Sequence, residues 1–193
     1  MFTYPICSTQ KCSHPVLGKS EFCRIHHPDP SNAISSLFAP SNQPSMYSNL
    51  NFSGLELDNF KLPAAKWVGC NFTGSRFSHC SFEGSAFLLC IFEECLFYDC
   101  SFQETESLEV SFARTDIRDS ILTNAKLVLS NFNGSLIQNS DFSQSDYTYS
   151  RFILSTMRQV SLRDANLKSA HFNGAILDQV DFTYSNKDDC VFD

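Results

Sequence analysis

From residue 52 onward a large apolar side chain recurs at every fifth position, and no helix or flat strand has that period. The lattice runs Phe52, Leu57, Leu62, Trp67, then unbroken phenylalanines from Phe72 to Phe102, and continues from Phe112 to Phe182. Only Ser107 departs from it before Lys187 ends the run. Two positions ahead of each large residue stands a small one, as in Ala65, Cys70, Ser75, Cys80, Ser85 and Ala165. The unit is therefore small, variable, large, variable, variable, and a backbone that turns every five residues is required.

In the segments Asn51-Phe52-Ser53-Gly54, Asn71-Phe72-Thr73-Gly74 and Asn131-Phe132-Asn133-Gly134, the Asn and Gly flanking the large residue suit tight corners where positive φ is needed. With these residues the chain resembles the pentapeptide-repeat family over roughly residues 45 to 193. The resemblance implies an all-β fold, a right-handed parallel β-helix of square cross-section with four pentapeptides per coil. A second period of twenty is then required, and it is present. Phe52, Phe72, Phe92, Phe112, Phe132, Phe152, Phe172 and Phe192 form one column, whereas Leu57, Phe77, Phe97, Ile117, Ile137, Met157 and Leu177 form a mixed one. A pentapeptide cannot bury its own large side chain, but stacked coils share a core and pair their backbones at about 4.8 Å. About seven coils at that spacing predict a rod on the order of 35 Å long.

The expected organisation is a metal-binding knuckle over 1–28, a linker with a short capping helix over 29–45, and the β-helix over 46–193. The segment SNAISSLFA predicts a helix capped by Ser31 that presents Ile34, Leu37 and Phe38 to plug the open end of the tube. At the other end CVFD keeps Cys190 and Phe192 on the lattice with no capping segment after them, and the reading is a homodimer through the C-terminal coil.

Cysteines fall into two sets. Cys70, Cys80, Cys90, Cys95, Cys100 and Cys190 occupy the small inward position and read as buried apolar residues, with Cys70 stacked beside Cys90 and Cys80 beside Cys100. Cys7, Cys12, Cys23 and His26 instead form C-x4-C-x10-C-x2-H, three thiolates and an imidazole suited to a tetrahedral, structural zinc. This stretch is similar to small CCCH zinc knuckles, and His27 or His14 are alternatives for the fourth ligand.

The formal charge of −7 disfavours direct nucleic-acid binding, which draws on basic faces to displace counterions. The start MFTYPICSTQ has no basic stretch with an apolar run behind it, and no apolar run is long enough to span a membrane, so a soluble cytoplasmic protein with reduced thiols is expected. No phosphate loop, HExxH or GxSxG occurs, and His79 and His171 stand apart on different coils, so the chain reads as no enzyme.

One surface is distinctive. Glu93, Glu94, Asp99, Glu104, Glu106 and Glu109 lie in one stretch free of Lys and Arg, predicting an acidic belt that encloses Ser107. Either it is a solvated face with one packing fault, or a contact patch for a basic partner. The segment ETESLEV is expected to bulge and turn Leu108 inward in place of Ser107. The leading reading is a protein-interaction scaffold with an unknown protein partner. The alternative, implied by the family resemblance, is a DNA-mimicking modulator of a type II topoisomerase such as DNA gyrase.

Overall fold

The computed structural model of the chain describes residues 3–37, 46–61 and 64–193. Leu62, Phe38 and the side chain of Leu37, all named above, lie outside the described residues. Three-residue strands succeed one another: β1 (Met46–Ser48), β2 (Glu56–Asp58), β3 (Lys66–Val68), β4 (Arg76–Ser78), β5 (Ala86–Leu88), β6 (Leu96–Tyr98), β7 (Glu106–Leu108), β8 (Asp116–Arg118), β9 (Lys126–Val128), β10 (Leu136–Gln138), β11 (Thr156–Arg158) and β12 (Ile176–Asp178). They form two parallel sheets, β1-β3-β5-β7-β9 and β2-β4-β6-β8-β10-β11-β12, whose neighbours pair twenty residues apart. Two further faces are made of single parallel bridges, Asn51 through Val191 and Lys61 through Asp181, at the same spacing. The result is a four-sided solenoid in which each coil pairs with the next on every face.

The five-residue unit follows from three hydrogen-bonding and steric roles. The large central residue points inward, and its amide donates to the following coil, as Phe72 N does to the Ile91 carbonyl at 2.7 Å. The amide before it donates to the preceding coil, as Asn71 N does to Leu50 at 3.0 Å. Two residues past the centre the chain takes positive φ at every corner from Asn49 to Asp189, which lets it turn onto the next face. At Gly54, with φ of 69°, the bare corner also admits the Arg24 guanidinium, which a Cβ would meet at 2.8 Å.

The small inward position is a donor as well as a matter of room. Ser75, Ser145 and Ser150 Oγ donate to the carbonyls of Phe52, Leu122 and Leu127, each 23 residues earlier, at 3.0, 2.6 and 2.6 Å. The Cys95 and Cys100 thiols donate in the same way to Phe72 and Phe77 at 3.0 and 3.4 Å. Cysteine is thus a stand-in for serine here, buried and hydrogen-bonded. Above these donors the phenylalanine column stacks with centroids 4.6 to 5.2 Å apart and planes within 3 to 16°. Strand spacing sets that distance, and edge-on contacts to adjoining columns, such as Phe77–Phe82 at 80°, fill the lumen.

Two sequence expectations are corrected. Ser107 does not bulge out: β7 pairs in register with Phe87 and Leu127 on either side, Ser107 is 4% exposed, and Leu108 points outward at 43%. Backbone pairing on four faces holds the register, and the lumen accepts a small residue more readily than the ladder accepts a slip. The helix α1 (Pro30–Leu37) is capped by Asp29, whose Oδ1 accepts from the Asn32 amide at 3.0 Å, and not by Ser31. Pro30 suits the first helical turn, where its missing N–H is not needed, so the helix begins two residues earlier.

Candidate metal centre

The N-terminal segment builds its site from two turns on a hairpin. Residues 5–16 pair antiparallel, with Ile6 bridged to Pro15, Cys7 N donating to His14 O at 3.0 Å and Val16 N to Pro5 O at 2.9 Å. A turn closed by Cys12 N to Thr9 O carries Cys12, and Lys11 supplies its positive φ of 64°. A second turn, with His26 and His27 amides both donating to Cys23 O at 3.1 and 2.9 Å, carries Cys23 and His26. The ligating atoms of Cys7, Cys12, Cys23 and His26 all lie within 4.8 Å of one another.

These spacings test whether the residues fit a metal. Tetrahedral zinc with bonds of about 2.3 Å to sulfur and about 2.05 Å to nitrogen requires edges of roughly 3.8 Å between sulfurs and roughly 3.55 Å from sulfur to nitrogen. Cys12 Sγ and Cys23 Sγ are 3.8 Å apart, and His26 Nδ1 stands 3.6 Å from Cys7 Sγ and 3.4 Å from Cys23 Sγ. The donor set fits.

Of the alternative fourth ligands, His27 Nδ1 accepts the Asp29 amide at 3.0 Å and its ring meets Phe22 edge-on, so it is engaged elsewhere. His14 Nδ1 lies 3.4 Å from Cys12 Sγ on the exposed side of the cluster. Around the Cys7 thiol, burial opposes ionisation, but hydrogen bonds from Thr9, the Cys23 backbone and His26 outweigh it and hold it near about 5. At Cys12 a backbone hydrogen bond from His14 favours the thiolate, while burial and the neighbouring Cys23 and Cys7 sulfurs push it up.

The site is joined to the solenoid through the loop between its ligand pairs. Leu17, 1% exposed, enters the same core as Ile34, Tyr47 and Phe52. Beside it Gly18 N donates to Asn51 O at 2.8 Å and Asn51 Nδ2 donates to Val16 O at 3.3 Å. Further along, Tyr4 Oη donates to Gly69 O at 3.1 Å, and Arg24 lies 3.9 Å from Glu56. The end of the tube is therefore covered by Leu17 together with Ile34, of which the sequence singled out only Ile34.

The acidic residues take a regular geometry. Glu94, Asp99, Glu104 and Glu109 occupy the four successive positive-φ corners of one coil, with Glu106 on β7 between two of them. The next coil brings Arg114 to Glu93 and Glu94, both at 3.0 Å, and His79 stands 3.9 Å from Asp99. A second surface escaped the sequence reading. Val68, Leu88, Leu108 and Val128 follow each other up the outward side of the β3-β5-β7-β9 face, beside a depression of about 280 Å³ bordered by Lys66, Glu106 and Lys126. The signal was present as apolar residues at an outward position, twenty apart.

The comparisons place this architecture. Residues 57–93 match the family model described as pentapeptide repeats (8 copies), and residues 115–192 match the pentapeptide repeat region. The chain belongs to the pentapeptide-repeat family. No curated protein matches it. Among solved structures it is similar to Rfr23, a pentapeptide repeat protein of the cyanobacterium Cyanothece 51142, at 16% identity over 77% of this chain and 91% of that one, TM-score 0.38. A trypsin-treated form of QnrB1, a plasmid-mediated fluoroquinolone resistance protein, is 16% identical over 74% of this chain and 84% of that one, TM-score 0.35. HetL from Nostoc sp. strain PCC 7120, described as involved in heterocyst differentiation regulation, is 14% identical over 82% and 92%, TM-score 0.23. Among the described residues no helix is long and apolar enough to cross a membrane.

Proposed function

We propose that the protein is a non-enzymatic interaction scaffold, a rigid solenoid that offers flat faces to a protein partner. The observation that carries this reading is the outward row Val68, Leu88, Leu108 and Val128 on a regular parallel sheet, since contiguous apolar surface on a folded chain marks contact sites. Comparative affinity capture from the native cell tests it. The double substitution Leu88→Glu/Leu108→Glu should abolish specific recovery of a partner while circular dichroism stays unchanged. Recovery equal to wild type overturns the reading. Charge reversal at Glu104, Glu106 and Glu109 separates a contact patch from a solvated face: a patch loses binding and salt dependence together.

The metal is proposed to be one structural zinc, held by Cys7, Cys12, Cys23 and His26, with all four positions filled by protein. Purification without chelators should give close to one equivalent, and less than roughly half an equivalent by elemental analysis overturns it. The setting proposed is reducing and cytoplasmic, in which the buried lumen cysteines stay as thiols and the N-terminal three stay available to the metal. At the far end Leu177, Phe182 and Phe192 are only partly covered, Phe192 being 42% exposed, and a second copy docking tail to tail would cover them. Light scattering at micromolar concentration should give twice the chain mass; a monomer overturns that assembly.

A second reading is modulation of DNA gyrase by an acidic rod, favoured by the ring of Glu94, Asp99, Glu104 and Glu109 around one coil. Zinc-replete protein at low micromolar concentration should then inhibit supercoiling or protect against a fluoroquinolone, and the corner acids should be needed for it. No effect in either arm removes this reading.

A further inference from the structure

The knuckle does more than sit beside the solenoid: it completes a coil that the solenoid lacks. In every interior coil the carbonyl ahead of the large residue accepts an amide from the preceding coil, as Asn71 O accepts from Phe52 N at 2.6 Å and Ile91 O from Phe72 N at 2.7 Å. For Asn51 that donor is Gly18 N at 2.8 Å, supplied by the loop between the two ligand pairs. The Asn51 side chain meanwhile occupies Val16 O at 3.3 Å and accepts from Asn71 Nδ2 at 3.1 Å, so the side-chain ladder of this face also runs into the knuckle. Leu17 joins the core that holds Tyr47, Phe52 and Trp67, and Arg24 covers the Gly54 corner.

This loop buries little apolar surface, with Val16 and Leu17 the only buried apolar side chains of residues 13–22. Leu17 N donates to Phe22 O at 2.8 Å, Ser20 N to Leu17 O at 2.9 Å and Ser8 N to Glu21 O at 2.9 Å, and the two arms of the loop lead to Cys12 on one side and Cys23 on the other. A segment of this length buries too little apolar surface to fold without a staple, so metal binding free energy is also its folding free energy. We infer that the metal centre locks the N-terminal cap of the solenoid: release of the metal from Cys7, Cys12, Cys23 and His26 withdraws Leu17 and Gly18 and opens the first coil's edge and aromatic lumen. The inference rests on the metal reading above and adds the coupling. Solenoid coils are stabilised by nearest neighbours, so the loss should be felt at the first coils and fade along the rod.

The chain carries its own reporter. Trp67 is the sole tryptophan, 1% exposed, stacked on Tyr47 at 4.2 Å and on Phe87 at 6.1 Å, within the core that Leu17 closes. The full chain, purified with its metal and assayed for zinc content, is stripped with EDTA or 1,10-phenanthroline while Trp67 emission and amide exchange are followed. The expected result is a red shift at Trp67 and a fall of at least about tenfold in protection over residues 46–72, with coils beyond Phe92 unchanged and recovery on adding zinc back. Leu17→Asp, with all four ligands retained, should keep the zinc and show the same red shift. Metal absent from the purified protein sinks the metal reading and this inference with it. Metal present and then removed with Trp67 emission and protection unchanged overturns the coupling alone, as does a Leu17→Asp variant indistinguishable from wild type.

Discussion

Ser107 shows what a single residue contributes when the backbone around it is held on both sides. Its hydroxyl is buried without a hydrogen-bond partner among the described residues, between Phe87 and Leu127 in the column above and below. An unsatisfied buried hydroxyl costs about 1–3 kcal/mol, and an apolar side chain of suitable size regains burial. Ser107→Leu should therefore stabilise the protein by about 1–2 kcal/mol, read as a rise of a few degrees in Tm by calorimetry; an unchanged or lower Tm means the neighbours have already closed the space. Corners obey a complementary rule. From Asn49 to Asp189 no corner residue is β-branched, although Asn, Asp, Glu, Gln, Leu, Tyr, Arg and His all appear there. Left-handed backbone costs an L-residue roughly 1–2 kcal/mol, and a branched Cβ is the least tolerated. Gly134, at φ of 66° with a Cβ site 3.6 Å from the Arg114 Cγ, has room for a side chain, so Gly134→Val should lose about 1–2 kcal/mol in urea unfolding through backbone strain alone. The rule is written in the sequence as the absence of Val, Ile and Thr from the corner positions, a weaker signal than the Asn and Gly present there.

Within an element, charge is organised across coils more than along them. His79 Nδ1 lies 2.8 Å from Asp58 Oδ1 in the coil before, and its other nitrogen 3.9 Å from Asp99 in the coil after. The hydrogen bond to Asp58 raises the imidazole above its ordinary value, and the same bond lowers the Asp58 carboxyl. A raised histidine stabilises fully below its unfolded value of about 6.5 and loses that contribution as pH climbs through its folded value. A lowered carboxyl stabilises above about 3.9 and loses its share as pH falls through the folded value, so the pair is most favourable between about pH 4 and 6.5. Titration by NMR should find His79 above its ordinary value, and Asp58→Asn should bring it down; an identical midpoint in the variant rules the pairing out. The acidic stretch behaves similarly. In the sequence it is a run without cations, but stacking brings Arg114 from twenty residues away onto Glu93 and Glu94, and only the coil register reveals that neighbour. The helix start was misplaced for a local reason, since Asp29 and Ser31 both make acceptable caps and Pro30 decides between them.

For the molecule as a whole, the five- and twenty-residue periods carried almost the entire architecture, because each large residue and each column has one place to go. The candidate metal cluster was also legible, as Cys7, Cys12, Cys23 and His26 at suitable spacing, and the fold brings their ligating atoms within 4.8 Å of one another. What remained hidden was the link between the two: no local pattern says that Gly18 will serve Asn51 or that Leu17 will enter the lumen. That contact joins segments without shared periodicity. The two ends differ accordingly, one closed by Leu17 and Ile34, the other leaving Leu177, Phe182 and Phe192 partly covered. Hydrogen exchange of the metal-loaded protein, diluted until the tail-to-tail pair dissociates, should be slowest in the coils from Phe92 to Phe152 and fastest after Phe172. Uniform protection along the rod would show that it opens as a single unit instead.

That β7 keeps its register across Ser107 has a further consequence for how such a chain can change length. The scaffold counts residues and is nearly indifferent to which one fills the lumen at a given level. Removing residues 123 to 142 would place Leu122 before Ser143 and leave every later side chain on its own face, giving a shorter rod with the same four sides. Removing five would instead rotate everything beyond the cut by one face, and removing one would turn the core outward. The ruler of this molecule is marked in twenties.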